Sequence, residues 1–244
     1  MYRYFLEVSY KGTRYSGFQI QQNANSIQGE IERVFKVVTK QQIELTGSSR
    51  TDAGVHAEQN YFHFDVQFPI PLAIIYNLNA LLPADIALLS LRAVNPDAHC
   101  RFDAISREYI YTVYTYKNPF LSDTAYYFPY ALNFSAMAES ARLFLGTHDF
   151  STFSKRNTQV KTFICSVAES EWFIDEGVFR YRVKANRFLR GMVRGLVGTM
   201  LMVGRNKLTI EDLEEIFKSG DSARADFSVP GRGLCLKRVV YISG

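Results

Sequence analysis

A chain of 244 residues, of which 47% are hydrophobic, carries enough apolar material for one large core or two modest ones and needs no disulfide staples. Its formal charge of +4 permits a nucleic-acid partner but does not require one. The sequence argues against a membrane protein, a secreted disulfide scaffold or a zinc knuckle: no apolar run nears the ~20 residues of a membrane span, Met1 leads into strand-like alternation, and Cys100, Cys165 and Cys235 lack CxxC spacing; a cytoplasmic address is expected.

From Tyr2 to Tyr10 the even positions Tyr2, Tyr4, Leu6, Val8 and Tyr10 alternate with Arg3, Glu7 and Ser9, the period of a half-buried strand. Ser26 then reads as an N-cap, with Ile27, Ile31, Val34, Phe35 and Val38 on one helical face. Short strands are predicted over Ile43 to Thr46 and over Gln59 to Val66, the second placing Asn60, Phe62, Phe64 and Val66 on one side. A helix over Leu72 to Leu82 and a strand over Asp85 to Val94 follow, completing the order βαββαβ.

The second half repeats that order. A strand passes through Tyr109, Tyr111 and Val113, a helix through Met137, Ala141, Phe144 and Leu145, and two strands cover Val167 to Ile174 and Val178 to Lys184. A long helix is predicted from Asn186 to Val203, a short one opened by the capping box Thr209 and Asp212, and a last strand over Leu236 to Ile242. The expected class is α+β, two ferredoxin-like halves around a mostly antiparallel sheet with a central catalytic cleft. Residues 1–104 form one half and 105–244 the other, the boundary falling in the polar stretch Asn95 to Ser106. RNA-binding modules of this topology use the free face of the sheet, but fold alone does not give function.

Between the predicted second and third strands lies Thr46-Gly47-Ser48-Ser49-Arg50-Thr51-Asp52-Ala53-Gly54-Val55-His56-Ala57, a composition ill suited to filling a core. Small residues let backbone approach a ligand while Arg50 and Asp52 project a cation and a carboxylate. An isolated Asp-Ala-Gly more often caps a turn, and it is the density of polar function here that favours a site. A triad of Ser48 or Ser49, His56 and Asp52 would crowd onto one loop, with no GxSxG elbow. The HxE and PCxxC pair of zinc deaminases, the GxxxxGK[ST] loop and the GxGxxG fingerprint are all missing from the sequence. Chemistry without metal or nucleotide leaves the Asp52 carboxylate as the natural nucleophile.

On the predicted helix from Asn186, Leu189, Met192, Val193, Leu196 and Met200 share one side, while Arg187, Arg190, Arg194, Gly191, Gly195 and Gly198 share the other. Each interior glycine costs roughly 1 kcal/mol against alanine, so this basic, smooth stripe calls for close approach of RNA or of another backbone. In Ser106-Arg107-Glu108-Tyr109-Ile110-Tyr111, Tyr109 and Tyr111 point to one sheet face, which by itself is an ordinary strand pattern.

These segments together resemble the TruA-type tRNA pseudouridine synthase family over almost the whole chain. Arg50 to Ala57 resembles its catalytic motif. Tyr10-Lys11-Gly12 with Gly17-Phe18-Gln19, Leu82 to Ala87, Arg101 to Ala104, Arg107 to Tyr111, Gly146 to Phe150, Met192 to Arg194 with Val197-Gly198, and Gly231 to Leu234 resemble further motifs in the same order. Ser49 stands where the family usually has glycine and Phe18 where tryptophan is common, while Ala98 and Cys100 replace more usual residues.

The resemblance implies a cofactor-free, metal-free homodimer that isomerises uridine to pseudouridine at positions 38, 39 and 40 of the tRNA anticodon stem-loop. It casts Asp52 as the nucleophile, Arg194 as the cation that keeps it ionised, Tyr109 as the ring stacking on the flipped uracil and Arg50 as the side chain filling the vacated space. Arg187, Arg190, Lys155 and Arg156 are phosphate contacts by location and charge alone. Phe120, Tyr126, Tyr127, Phe128 and Tyr130 lie in a stretch without clear period, suited to a subunit interface or to covering the protein's own core. The rival from another class is a non-catalytic RNA-binding protein built on two ferredoxin-like units, which has no use for Asp52; a metal-free hydrolase is a more distant third.

Overall fold

A computed structural model describes residues 1–156 and 160–242. The chain divides into two compact units, Met1–Ile105 with the segment from Leu236 onward, and Ser106–Cys235. Both are α+β, with mostly antiparallel strands.

The first unit contains β1 (Tyr2–Tyr10), α1 (Ile27–Thr39), β2 (Thr46–Gly47), β3 (His56–Val66), α2 (Ile74–Leu81) and β4 (Ile86–Val94). The strands run β4-β1-β3, with β2 also on β3, and β1 is antiparallel to both neighbours. That is the order and connectivity of a ferredoxin-like unit. Helix α1 begins where expected, with the Ser26 hydroxyl accepting from the Gly29 N–H at 3.1 Å, and ends at Lys40 in a left-handed conformation. Its Ile27, Ile31, Val34 and Phe35 are buried, as are Leu6, Val8, Phe62 and Phe64 of the strands, and Phe35 meets Phe64 edge-on at 5.3 Å. Strand β1 is less one-sided than its alternation suggests. Phe5 on the opposite face is also buried, 5.6 Å from the Tyr241 ring.

The strand expected over Ile43 to Thr46 is reduced to Thr46–Gly47. Helix α1 takes its place: the Leu45 N–H donates to the Glu32 carboxylate at 2.9 Å, and the Leu45 carbonyl accepts from the Gln28 amide at 2.9 Å. Side chains thereby satisfy the backbone groups that a ladder would have used.

The second unit contains β5 (Ala104–Tyr114), β6 (Tyr126–Tyr127), α3 (Phe134–Ala141), β7 (Gly146–Asp149), β8 (Ile164–Asp175), β9 (Val178–Ala185), α4 (Met192–Gly204) and α5 (Ile210–Lys218). Its strands run β5-β9-β8-β7, with β6 parallel to β5. A Glu176-Gly177 turn with positive φ at both residues joins β8 to β9, the pairing that a tight hairpin favours. Tyr181, Trp172, Phe144, Met200 and Leu213 are buried; the Tyr181 hydroxyl lies 2.8 Å from that of Ser170, which in turn donates to the Ala141 carbonyl at 2.7 Å. The expected capping box of Thr209 and Asp212 opens α5.

Helix α4 is six residues shorter at its start than the predicted Asn186 to Val203. Gly191 has φ +77°, a left-handed conformation that stops the helix from extending towards Asn186. Arg187 and Arg190 therefore sit in the approach to the helix, not on its face. The last strand, β10 (Leu234–Tyr241), lies beside β3. There the Val239 N–H donates to the Gln59 side chain at 3.1 Å, and Tyr241 donates to the Cys100 carbonyl at 2.7 Å.

Among the described residues no helix is long and apolar enough to cross a membrane.

Candidate active site

The loop between β2 and β3 is held by its backbone from several sides. Ser48 N–H donates to the Tyr61 carbonyl at 2.8 Å, the Thr51 carbonyl accepts from Phe18 at 3.1 Å and Gly54 N–H reaches the Tyr15 carbonyl at 3.4 Å. Asn60, buried among the apolar residues of β3, donates to the Ser49 carbonyl at 2.8 Å and to the Tyr10 hydroxyl at 3.2 Å. Tyr10 and Thr51 hydroxyls are 2.8 Å apart. A turn closed by Val55 N–H to the Asp52 carbonyl at 3.2 Å contains Gly54 at φ +77°, a conformation a side chain would strain. The result is a half-buried Asp52 at the head of a fixed turn.

Gly12 completes the support. A Cβ there would lie 2.0 Å from the Val55 carbonyl oxygen, so only glycine lets the two backbones meet. Its N–H donates to His56 Nδ1 at 3.1 Å. That bond occupies a ring nitrogen and leaves buried His56 holding the loop, which speaks against the Ser/His/Asp triad. Tyr15 donates to Asp85 at 2.7 Å; burial first, and then the Asp85 carboxylate, push the Tyr15 phenol well above its usual range. Sequence reasoning missed Tyr10, Gly12, His56 and Asn60 as supports. Asn60 carried the visible signal, a lone amide on the same strand face as Phe62, Phe64 and Val66.

Arg50 is exposed two residues before Asp52. It lines a depression of about 190 Å³ with Gln19, Thr46, Gly47, His99 and Arg101, which Asp52 does not line. Ser49, the departure from glycine, is buried, and its hydroxyl has no hydrogen-bond partner among the described residues. Phe18 stacks on Phe62 at 4.5 Å and occupies the space in which a side chain at Gly47 would have to lie.

The other expected site residues belong to the second unit. Tyr109 on β5 is buried, with Phe188 edge-on at 5.0 Å. Arg194 opens α4 half-buried, its Nε donating to the Val229 carbonyl at 2.7 Å and a terminal nitrogen to the Phe227 carbonyl at 3.2 Å. The glycine stripe answers to the same segment. A Cβ on Gly198 would lie 2.1 Å from the Asp226 carbonyl oxygen, and one on Gly195 2.8 Å from the Phe227 ring, so residues 226–227 lie where RNA approach was expected. The Asp226 N–H adds a bond to the Thr199 hydroxyl at 3.1 Å.

Lys155 and Arg190 are neighbours, joined by a backbone bond of 2.9 Å, and the Lys155 stem lies over Gly191. Arg187 is half-buried and Arg190 exposed. Arg156 faces Asp221 at 3.5 Å. In the aromatic stretch Phe120 is 92% exposed, Phe128 packs against Tyr126 and Tyr130, and Arg205 lies 3.8 Å over the Tyr130 ring.

Among known proteins, the family described as tRNA pseudouridine synthase matches residues 7–103 and 140–242. Over 99% of its length the chain is 41% identical to tRNA pseudouridine synthase A of Parabacteroides distasonis, covering 96% of that protein. It is 42% identical to that of Bacteroides thetaiotaomicron, with 99% and 91% covered, and 35% identical to that of Staphylococcus aureus, with 97% and 90% covered.

Proposed function

The chain belongs to the tRNA pseudouridine synthase family, which makes it an isomerase of uridine in tRNA, and from that premise we propose that it acts at positions 38, 39 and 40 of the anticodon stem-loop with Asp52 as nucleophile. The observation that supports the assignment is the half-buried carboxylate on a turn braced by Gly12, Tyr10, Asn60 and Thr51, a placement that preorganises a charged group.

The reaction breaks the bond from ribose C1′ to uracil N1, turns the base and joins C1′ to C5; the proton on C5 leaves and N1 regains one. An ionised Asp52 assists either by bonding to C1′ or by removing the C2′ proton. In this reading the Arg194 fork, oriented by the Val229 and Phe227 carbonyls, pairs with the Asp52 carboxylate and orients it. Extruding a stacked uridine costs a few kcal/mol, offset by Tyr109 against the base and by Arg50 in the space left behind. Arg187, Arg190 and Lys155 hold phosphates, and Arg156 joins them by exchanging Asp221 for RNA. The chemistry takes no cofactor, and the setting is cytoplasmic.

A two-fold dimer completes the proposal, one subunit presenting Asp52 while the other grips the tRNA body, across more than roughly 1,000 Å² of buried surface. Exposed Phe120 and the Tyr126 to Tyr130 cluster are its candidate contacts.

The test is incubation with an unmodified tRNA transcript, chromatography of the nucleosides and mapping of the new pseudouridine. The expected product lies at positions 38 to 40 alone. Isomerisation elsewhere would overturn the positional claim, and tight binding without isomerisation would favour the RNA-binding rival. Light scattering at micromolar concentration checks assembly: a monomer mass with full activity would remove the two-subunit picture.

A further inference from the structure

Beneath the Arg50 depression, three side chains unused by the proposed reaction converge within the first unit. His63 on β3 and Cys100 are buried, the His63 Nδ1 lying 3.1 Å from the Cys100 sulfur. The His99 ring sits 4.5 Å from that of His63, centroid to centroid, and one ligand atom from each of the three lies within 4.8 Å of the others. Among the described residues this is the sole such group of three histidine, cysteine or acidic side chains.

We propose that His63, His99 and Cys100 form a divalent transition-metal site suited to zinc. Two imidazoles and one thiolate are a soft, borderline donor set that selects zinc over magnesium or calcium. With bonds of about 2.0–2.3 Å, tetrahedral zinc holds its ligand atoms about 3.3–3.7 Å apart, so His63 and Cys100 need to separate slightly and His99 to move inward. His99 can do so because it is only half-buried: its backbone N–H stays bonded to Asp103 at 2.7 Å, while ligation through Nε2 moves the ring proton to Nδ1 and gives up the bond that Nδ1 now accepts from the Arg101 N–H at 3.1 Å. His99 also lines the depression holding Arg50, and His63 lines a second one beside Glu44 and Asp65, so the ion has a way in and a fourth position open to water.

Binding releases one proton, the thiol's, to solvent. The Cys100 sulfur then gives up its bond to the Thr46 carbonyl, now 3.2 Å long. The metal would tie β3 to the segment bearing Arg101 and exposed Phe102, at the rim of the depression.

The full-length protein, stripped with a chelator and dialysed, is titrated with cobalt(II) as a spectroscopic probe and with zinc by calorimetry. One equivalent per chain is expected, with tetrahedral ligand-field bands and a thiolate-to-cobalt charge-transfer band. Cys100→Ser should abolish the charge-transfer band, and His99→Gln should weaken zinc binding roughly a hundred-fold; circular dichroism of the metal-free proteins verifies that both are folded. Cobalt binding without the thiolate band, or equal zinc affinity in wild type and His99→Gln, overturns the proposal. Should Cys100→Ser fail to fold, His99→Gln decides alone, since its ring lies at the surface. Neither readout depends on pseudouridine formation.

Discussion

The loop from Thr46 to Ala57 and helix α4 both set glycine beside arginine, and they use it in opposite ways. In the loop, Gly54 at φ +77° makes a turn, and Gly12 comes in from outside to brace it, so that polar groups project from a backbone that cannot shift. In α4, Gly195 and Gly198 remove side chains so that residues 226–227 can lie on the helix, and Arg194 fastens that segment by two carbonyls. Glycine near arginine is thus no sign of a nucleic-acid face until the partner of the smooth surface is known.

Substitutions separate the two uses. Asp52→Asn keeps size and loop bonds but removes the charge, so pseudouridine formation should fall at least about a thousand-fold, some 4 kcal/mol, with an unchanged melting temperature; substantial residual turnover would take Asp52 out of its role. Gly198→Ala should do the reverse. Its methyl would press on the Asp226 carbonyl and cost about 2–3 kcal/mol of stability, with near-normal kcat measured well below the melting point. If activity fell and melting did not, the helix face would be functional after all. Gly12→Ala bridges the cases, since its methyl meets the Val55 carbonyl: stability and kcat should fall together.

Arg194→Lys keeps the charge but loses the planar fork, and a kcat drop of roughly thirty-fold, about 2 kcal/mol, is expected with little change in KM. A rise in KM alone would mark Arg194 as a phosphate contact. The smallest effect is Ser49→Ala, which deletes a buried hydroxyl without a partner and should raise stability by about 1 kcal/mol with activity intact; a lower melting temperature would show that the hydroxyl is satisfied in solution.

Periodicity read the helices and strands well where one face alone decides, as in α1 with its Ser26 cap and α5 with its capping box. It failed where a long-range partner decides. The Glu32 and Gln28 side chains dissolve the strand before Thr46, and Gly191 shortens α4. For the candidate site, loop composition and motif order singled out Asp52 and Arg50, because small residues and glycines in a loop leave polar side chains to project. The groups that hold the loop were hidden, since a hydroxyl on β1 and an amide on β3 become neighbours only once the strands are in register.

The placement of β10 also bears on how the protein is made. Strand β3 ends at Val66 and its partner begins at Leu234, so at translation rates of roughly 5–20 residues per second the first unit waits on the order of ten seconds on the ribosome for a strand to cover β3. During that interval Gln59 lacks the Val239 N–H and the segment at Cys100 lacks the Tyr241 hydroxyl, whereas the β8 to β9 hairpin closes as soon as its own residues emerge. A nascent chain released before Leu234 would therefore carry the entire Asp52 loop with an uncovered strand beneath it, a product better suited to chaperones and proteases than to tRNA.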